Sequence, residues 1–166
     1  ITPPYHCGVV EVAGRWMPLT FVYLAGAARQ AGLDAEIYDA MTKGHGFREI
    51  EAKIREARPD YVATTAITST VPDASEIMGL AKKVDPKIIT IMGGVHPTFC
   101  FEEVLASGPT APDFVVRGEG EVTLAELLLA LESGRAPETV CGLAYRENGT
   151  TRVTGPRCFV PDLDSL

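Results

Sequence analysis

Apolar residues along the chain follow two rhythms, and the way these alternate predicts the architecture. Across residues 18–30, Phe21, Leu24, Ala25 and Ala28 recur at helical spacing, and Gly32 follows where a left-handed cap is wanted; this predicts a first helix. A short strand is expected over residues 35–38, then a polar, glycine-bearing loop over 39–46 in which His45 is expected to be solvated. Ile50 and Ile54, four apart and followed by Pro59, predict a second helix over 47–57. Tyr61-Val62-Ala63-Thr64-Thr65 comes straight after the Pro59-Asp60 breaker and reads as a short buried strand. Thr70 or Asp73 can cap the next helix and Pro72 suits its first turn, while Ile77, Leu80, Ala81 and Val84 line one face as far as Pro86. Residues 88–92 form the clearest buried strand. It ends on Gly93-Gly94 and leads through a loop, Val95-His96-Pro97, to a brief helix over 101–106. A further strand is expected over 114–117 and a last helix over 122–131, stopped at Gly134.

Strands separated by helices imply parallel pairing with right-handed crossovers. The expected fold is therefore α/β and doubly wound, Rossmann-like or flavodoxin-like, with a five-stranded parallel sheet and helices on both faces. Asn148-Gly149, between residues 142–146 and 151–153, signals a carboxyl-terminal β-hairpin, because both residues tolerate positive φ. Residues 156–166, with Pro161, Asp162 and Asp164, read as a linker. The expected division is a domain over 1–135, its first strand largely missing at the amino terminus, and a hairpin with linker over 136–166.

Composition narrows the possible functions. A chain of 166 residues, 46% of them hydrophobic, is long enough for one well-packed core. No apolar run approaches the roughly 18 residues of a membrane helix. The opening Ile1-Thr2-Pro3-Pro4 resembles no secretory signal and has no initiator Met, so a cytoplasmic piece of something larger is expected. A net charge of -7 argues against nucleic acid, whose affinity depends on Lys and Arg neutralising phosphates. Cys7, Cys100, Cys141 and Cys158 have none of the CxxC spacings of zinc or redox motifs, so reduced structural thiols are expected.

In a doubly wound sheet, ligands sit outside the carboxyl ends of the strands, so the chemistry belongs in the loops that follow them. A dinucleotide fingerprint fails: Gly118-Glu119-Gly120 follows the last strand, and Thr123 stands where the third glycine belongs. No phosphate-cradling P-loop is present. A phospho-acceptor would need a carboxylate where this chain has Thr64 and Thr65. What remains is a series of small and hydroxylated residues in three successive loops: Thr65-Ala66-Ile67-Thr68-Ser69, then Gly93-Gly94, then Gly118 and Gly120. Either of the first two alone reads equally as a helix cap or a turn. In consecutive loops they suit a bulky, partly polar cofactor running close to the backbone.

The phrases Glu11-Val12-Ala13-Gly14-Arg15-Trp16, Thr64-Thr65-Ala66-Ile67-Thr68, Met92-Gly93-Gly94-Val95-His96-Pro97-Thr98-Phe99 and Arg117-Gly118-Glu119-Gly120-Glu121 carry a family resemblance. Over residues 3 to about 131 the chain resembles the amino-terminal cobalamin-binding domain of cobalamin-dependent radical SAM enzymes. Within them it is most similar to the anaerobic oxidative cyclases of magnesium-protoporphyrin IX monomethyl ester. The resemblance implies that Thr65-Ala66-Ile67, with Thr68 and Ser69, lies near the nucleotide tail of cobalamin. It also implies that Gly93-Gly94 lets the tail pass, with Val95, His96 and Pro97 beside it. By the same resemblance Tyr5, His6, Gly118, Glu119 and Gly120 would border the corrin.

Related cobalamin domains carry DxHxxG, whose His is the lower cobalt ligand. The nearest match here is Pro4-Tyr5-His6-Cys7-Gly8, which makes His6 the candidate metal ligand but puts Pro4 in place of the carboxylate. A metal-bound imidazole needs an outer partner for its second nitrogen, and Pro4 supplies none, so the expectation is a lower face without His. The radical SAM signature CxxxCxxC is absent from the 166 residues; S-adenosylmethionine and a 4Fe-4S cluster are expected only in a downstream domain, the implied partner. A methyltransferase of the same superfamily, or a stand-alone cobalamin-binding or sensor module, are the alternative readings, and a downstream CxxxCxxC separates the last from the others.

Overall fold

The computed structural model describes residues 1–4 and 18–158, so Tyr5, His6, Cys7, Trp16 and residues 159–166 of the expected linker lie outside the described residues. In chain order the elements are α1 (Leu19–Gln30), α2 (Ala40–Lys43), α3 (Phe47–Ala57), β1 (Tyr61–Thr65), α4 (Val71–Val84), β2 (Ile89–Gly93), α5 (Val95–Phe99), α6 (Phe101–Leu105), β3 (Phe114–Val116), α7 (Glu121–Glu132), β4 (Leu143–Glu147) and β5 (Thr150–Val153). They form an α/β fold around one sheet in the order β1-β2-β3-β4-β5.

Only β1, β2 and β3 run parallel; β4 lies antiparallel on β3, and β5 antiparallel on β4. The expected five-stranded parallel sheet is thus corrected to a mixed one. The register explains the change. Val116 pairs with Leu143 and Phe114 with Tyr145, so residues 133–142 return the chain to the carboxyl end of β3 before β4 begins. A strand entering there can only run backwards, and the hairpin becomes the edge of the sheet rather than an appendage to it.

The expected strand over 35–38 is corrected as well. No ladder forms there among the described residues; single bonds tie the segment down, from Thr2 N–H to the Tyr38 carbonyl (3.1 Å) and from the Arg29 guanidinium to the Ala35 carbonyl. Ile1 and Thr2 lie between this segment and β1, the Ile1 amino group donating to the Ala63 carbonyl at 2.7 Å. Directly after it, Asp39 accepts from Thr42 N–H (3.1 Å) and caps α2, which folds the expected loop back on itself. His45 is half-buried there and pairs through Nδ1 with the Tyr38 hydroxyl at 2.5 Å.

Helices on both faces follow from the period-two alternation of the strands. Val62, Met92, Val115 and Ala144 point into one core with Ile50 and Ile54 of α3, Ile77 and Met78 of α4, and Val104 and Leu105 of α6. Ile91, Phe114, Val116, Leu143 and Tyr145 point into the other, against Ala28 of α1 and Leu124, Leu127 and Leu128 of α7. Both faces of the parallel strands are therefore covered by helices, with Tyr61, Ala63 and Thr65 of the edge strand β1 only half-buried on one face.

Candidate functional site

The loops after β1, β2 and β3 meet at the carboxyl edge of the sheet, held together by direct hydrogen bonds. Ala66 N–H donates to the Gly93 carbonyl at 2.9 Å, carrying the β1–β2 ladder one residue beyond the strand. A 3-10 turn over Thr68–Thr70 follows, closed by the Thr70 hydroxyl, which accepts from Ile67 N–H (3.0 Å) and donates to the Ile67 carbonyl (3.2 Å). From the second loop, His96 N–H donates back to the Ala66 carbonyl at 3.3 Å.

Gly94 is where these two loops come closest. Its φ is +106°, and a Cβ there would lie 2.5 Å from the Ala66 oxygen and 2.6 Å from Thr65 Oγ1. No side chain fits that space, and the backbone conformation itself is one that L-residues rarely adopt. The smallness of Gly94 thus serves the packing of loop on loop. Gly118, with φ +76°, has nothing within 4 Å of its would-be Cβ among the described residues.

Thr98 joins the second loop to the third. Its hydroxyl donates to the Gly94 carbonyl (2.8 Å) and accepts from Gly118 N–H (3.0 Å). Arg117 lays its guanidinium over the Phe101 ring at 4.6 Å, and Gly120 leaves room for Leu24 of α1, which would be 3.0 Å from a Cβ. Thr98 was not a candidate in its own right. It was legible only as part of the GGVHPTF phrase, because its role depends on contacts across the chain.

Val95-His96-Pro97, expected as a loop, is the first turn of α5, where Pro97 removes an N–H that would have no helical partner anyway. That turn presents His96 toward the first loop, its Nδ1 3.3 Å from the Thr68 hydroxyl. Its Nε2 is shielded from solvent and has no hydrogen-bond partner among the described residues. Nearby, Ile67, Val95 and Phe99 stand 54%, 64% and 78% exposed. Large apolar side chains left in water on adjacent loops mark a surface meant to be covered. Apart from His96, the segments 65–70 and 93–99 carry no ionisable side chain, so they suit a large neutral body with apolar flanks better than an isolated phosphate.

Of the candidate residues, Thr65, Ala66, Ile67, Thr68, Ser69, Gly93, Gly94, Val95, His96, Pro97, Gly118, Glu119 and Gly120 belong to these three loops, which the fold brings together. Tyr5 and His6 lie outside the described residues.

The B12 binding domain family matches residues 5–128 of the chain, the stretch that builds the three loops. The chain belongs to that family. Among relatives of this B12-binding domain, the anaerobic magnesium-protoporphyrin IX monomethyl ester cyclase of Cereibacter sphaeroides is 39% identical, over 100% of this chain and 28% of its own length. An uncharacterized methyltransferase of Pyrococcus horikoshii is 36% identical, over 100% of this chain and 36% of its own. The chain therefore spans about a third of the length of these relatives. The fold is also that of a cobalamin-dependent S-adenosylmethionine radical enzyme, OxsB, solved with aqua-cobalamin and S-adenosylmethionine bound: TM-score 0.77 at 21% identity, over 93% of this chain and 22% of that one.

Cobalamin fits what the B12-binding domain presents. The shielded His96 nitrogen, unpartnered among the described residues, can hydrogen-bond a polar group of the cofactor, Gly118 adds no side chain at the third loop, and Ile67, Val95 and Phe99 can cover an apolar flank.

Proposed function

We propose that this chain is the cobalamin-holding domain of a B12-dependent radical SAM enzyme, and that the whole enzyme is the anaerobic oxidative cyclase of magnesium-protoporphyrin IX monomethyl ester. The observation that carries cobalamin binding is the conjunction, at one sheet edge, of exposed Ile67, Val95 and Phe99 with an unpartnered His96 nitrogen. Support for the cyclase is the 39% identity to a cyclase over the entire chain. The 36% identity to a methyltransferase, also over the entire chain, favours a second reading in which the parent enzyme transfers a methyl group to another substrate.

Cobalamin, when bound, would supply a redox-active cobalt. The chain's own contribution is to hold it. Thr65, Thr68 and Ser69 offer hydroxyls to polar atoms of the tail, Gly93 leaves the second loop narrow, and His96 donates or accepts at its free nitrogen. Gly118, Glu119 and Gly120 would border the corrin from the third loop, and the family resemblance assigns Tyr5 and His6 the same role. Ile67, Val95 and Phe99 exclude water from its flank, and Thr98 keeps the second and third loops at a fixed separation. His6 would not serve as a cobalt ligand, because Pro4 stands where related domains carry the carboxylate that would hold its second nitrogen.

Titrating the purified chain with hydroxocobalamin tests the binding. Saturable spectral change with the cofactor's own base displaced supports the reading; no saturable binding overturns it. In His6→Ala the bound spectrum is expected to be unchanged. The parent reaction is tested on the protein that carries the downstream domain, supplied with magnesium-protoporphyrin IX monomethyl ester. Ring closure supports the cyclase, and methyl transfer to another acceptor supports the second reading.

A further inference from the structure

Around His96, three side chains of different type converge. A ring nitrogen of His96, the thiol Sγ of Cys100 and a carboxylate oxygen of Glu103 lie within 4.8 Å of one another. Helical hydrogen bonding runs through the junction of α5 and α6, from Cys100 N–H to the His96 carbonyl (2.8 Å) and from Val104 N–H to the Cys100 carbonyl (3.1 Å). The spacing i, i+4, i+7 therefore puts all three residues on one face.

We propose that His96, Cys100 and Glu103 bind a divalent zinc ion, with water in the fourth position. Thiolate, imidazole and carboxylate are zinc's own ligand types, and the thiolate discriminates against magnesium and calcium. Around tetrahedral zinc, ligand atoms stand about 3.3–3.8 Å apart, so closure by about 1 Å of side-chain rotation completes the site. His96 is already arranged as a metal-binding imidazole. Nδ1 stands 3.3 Å from the Thr68 hydroxyl, and the tautomer that carries its proton there leaves the lone pair on Nε2, the nitrogen without a partner among the described residues, free for the ion. The ion would clip together two five-residue helices, each too short to be stable alone, and so fix the α5–α6 segment beneath the second loop.

Cobalt(II) added to the metal-free, cobalamin-free chain reads the site directly. The expected result is an intense tetrahedral d–d spectrum with a thiolate-to-cobalt charge-transfer band, displaced by zinc. Cys100→Ser abolishes the charge-transfer band, Glu103→Gln weakens binding by more than the roughly tenfold that loss of an outer partner costs, and Cys141→Ser and Cys158→Ser change nothing. Zinc at about a hundred times its Kd is expected to raise the Tm of the unsubstituted chain by about 5–10 °C and that of Cys100→Ser by none. A weak octahedral spectrum, or a charge-transfer band that survives in a folded Cys100→Ser, overturns the proposal. Cobalamin binding is scored separately: Cys100→Ser and Glu103→Gln are expected to titrate with hydroxocobalamin as the unsubstituted chain does. Because both readings draw on the same His96 nitrogen, ion and cofactor are titrated separately, and the zinc result is scored on the cobalamin-free chain whatever the cofactor titration gives.

Discussion

The two ends of the parallel strands are built on opposite principles. At the amino end, polar groups are matched within the chain: Lys82 Nζ sits 2.6 Å from Asp113 Oδ2 and donates to the Ile88 carbonyl at 2.7 Å, while Thr90 gives its N–H and hydroxyl to the same carboxylate at 2.7 and 2.9 Å. Tyr61 closes the edge by donating to Glu132 at 2.8 Å. At the carboxyl end the loops bond to one another but leave Ile67, Val95 and Phe99 in water and a His96 nitrogen unpartnered among the described residues. One end is satisfied by its own side chains, and the other leaves groups open to a bound molecule. The separation lets binding loops carry unsatisfied groups while stability is secured elsewhere in the sheet.

The hardest test of this division is Gly94, where the binding end is itself under tight constraint. Gly94→Ala meets the Ala66 oxygen at 2.5 Å and keeps a φ of +106°. Strain and overpacking together are expected to cost about 2–5 kcal/mol and to part the first two loops, so both the urea midpoint and hydroxocobalamin affinity fall. A midpoint unchanged within error would mean the loops separate freely, and the binding end would then be loose throughout. Next in size is Asp113→Ala. Thr90 is fully buried, so its N–H loses its side-chain acceptor and Lys82 its partner, at an expected cost of about 2–3 kcal/mol in urea unfolding. Cobalamin affinity should not move. A parallel loss of affinity would show that the two ends are coupled.

Ile67→Asp asks the converse question. The side chain is 54% exposed, so stability should change by less than about 0.5 kcal/mol, whereas hydroxocobalamin affinity should fall at least about tenfold once an apolar contact becomes a buried charge. Equal affinity by spectral titration would remove Ile67 from the covered surface.

How much of this was legible in the sequence differs between the same two ends. Local rhythm set the helices and strands: α3 and β1 fall where Ile50, Ile54 and the Pro59-Asp60 breaker put them, and the three loops were located from their small and hydroxylated residues. Pairing direction was not local. Nothing in residues 143–147 says that residues 133–142 will first carry the chain back along the sheet, so Asn148-Gly149 marked the hairpin but not its place as the antiparallel edge of the sheet. Cys100 was read as an inert thiol because motif spacing was sought among cysteines; its neighbours His96 and Glu103 come into register only once Pro97 starts a helix. Thr98 and Asp113 act through partners 20 and 23 residues away, distances at which no periodicity speaks.

The smallest expected effect belongs to Tyr61, and it is visible chiefly against pH. Burial, and then the hydrogen bond to Glu132, push the Tyr61 phenol up from 10.0 to about 12. Because the folded chain holds this proton more tightly than the unfolded chain, the associated stability is present in full below pH 10 and is lost as pH rises through the interval to about 12. Tyr61→Phe should cost less than about 1 kcal/mol at neutral pH, the net worth of one partly exposed hydrogen bond. It should also flatten the part of the alkaline unfolding curve that belongs to this group. Urea midpoints collected from pH 8 to 11.5 check this. If Tyr61→Phe and the unsubstituted chain lose stability in parallel across that range, the Tyr61–Glu132 contact contributes nothing to closing the amino end, and Lys82, Thr90 and Asp113 secure it alone.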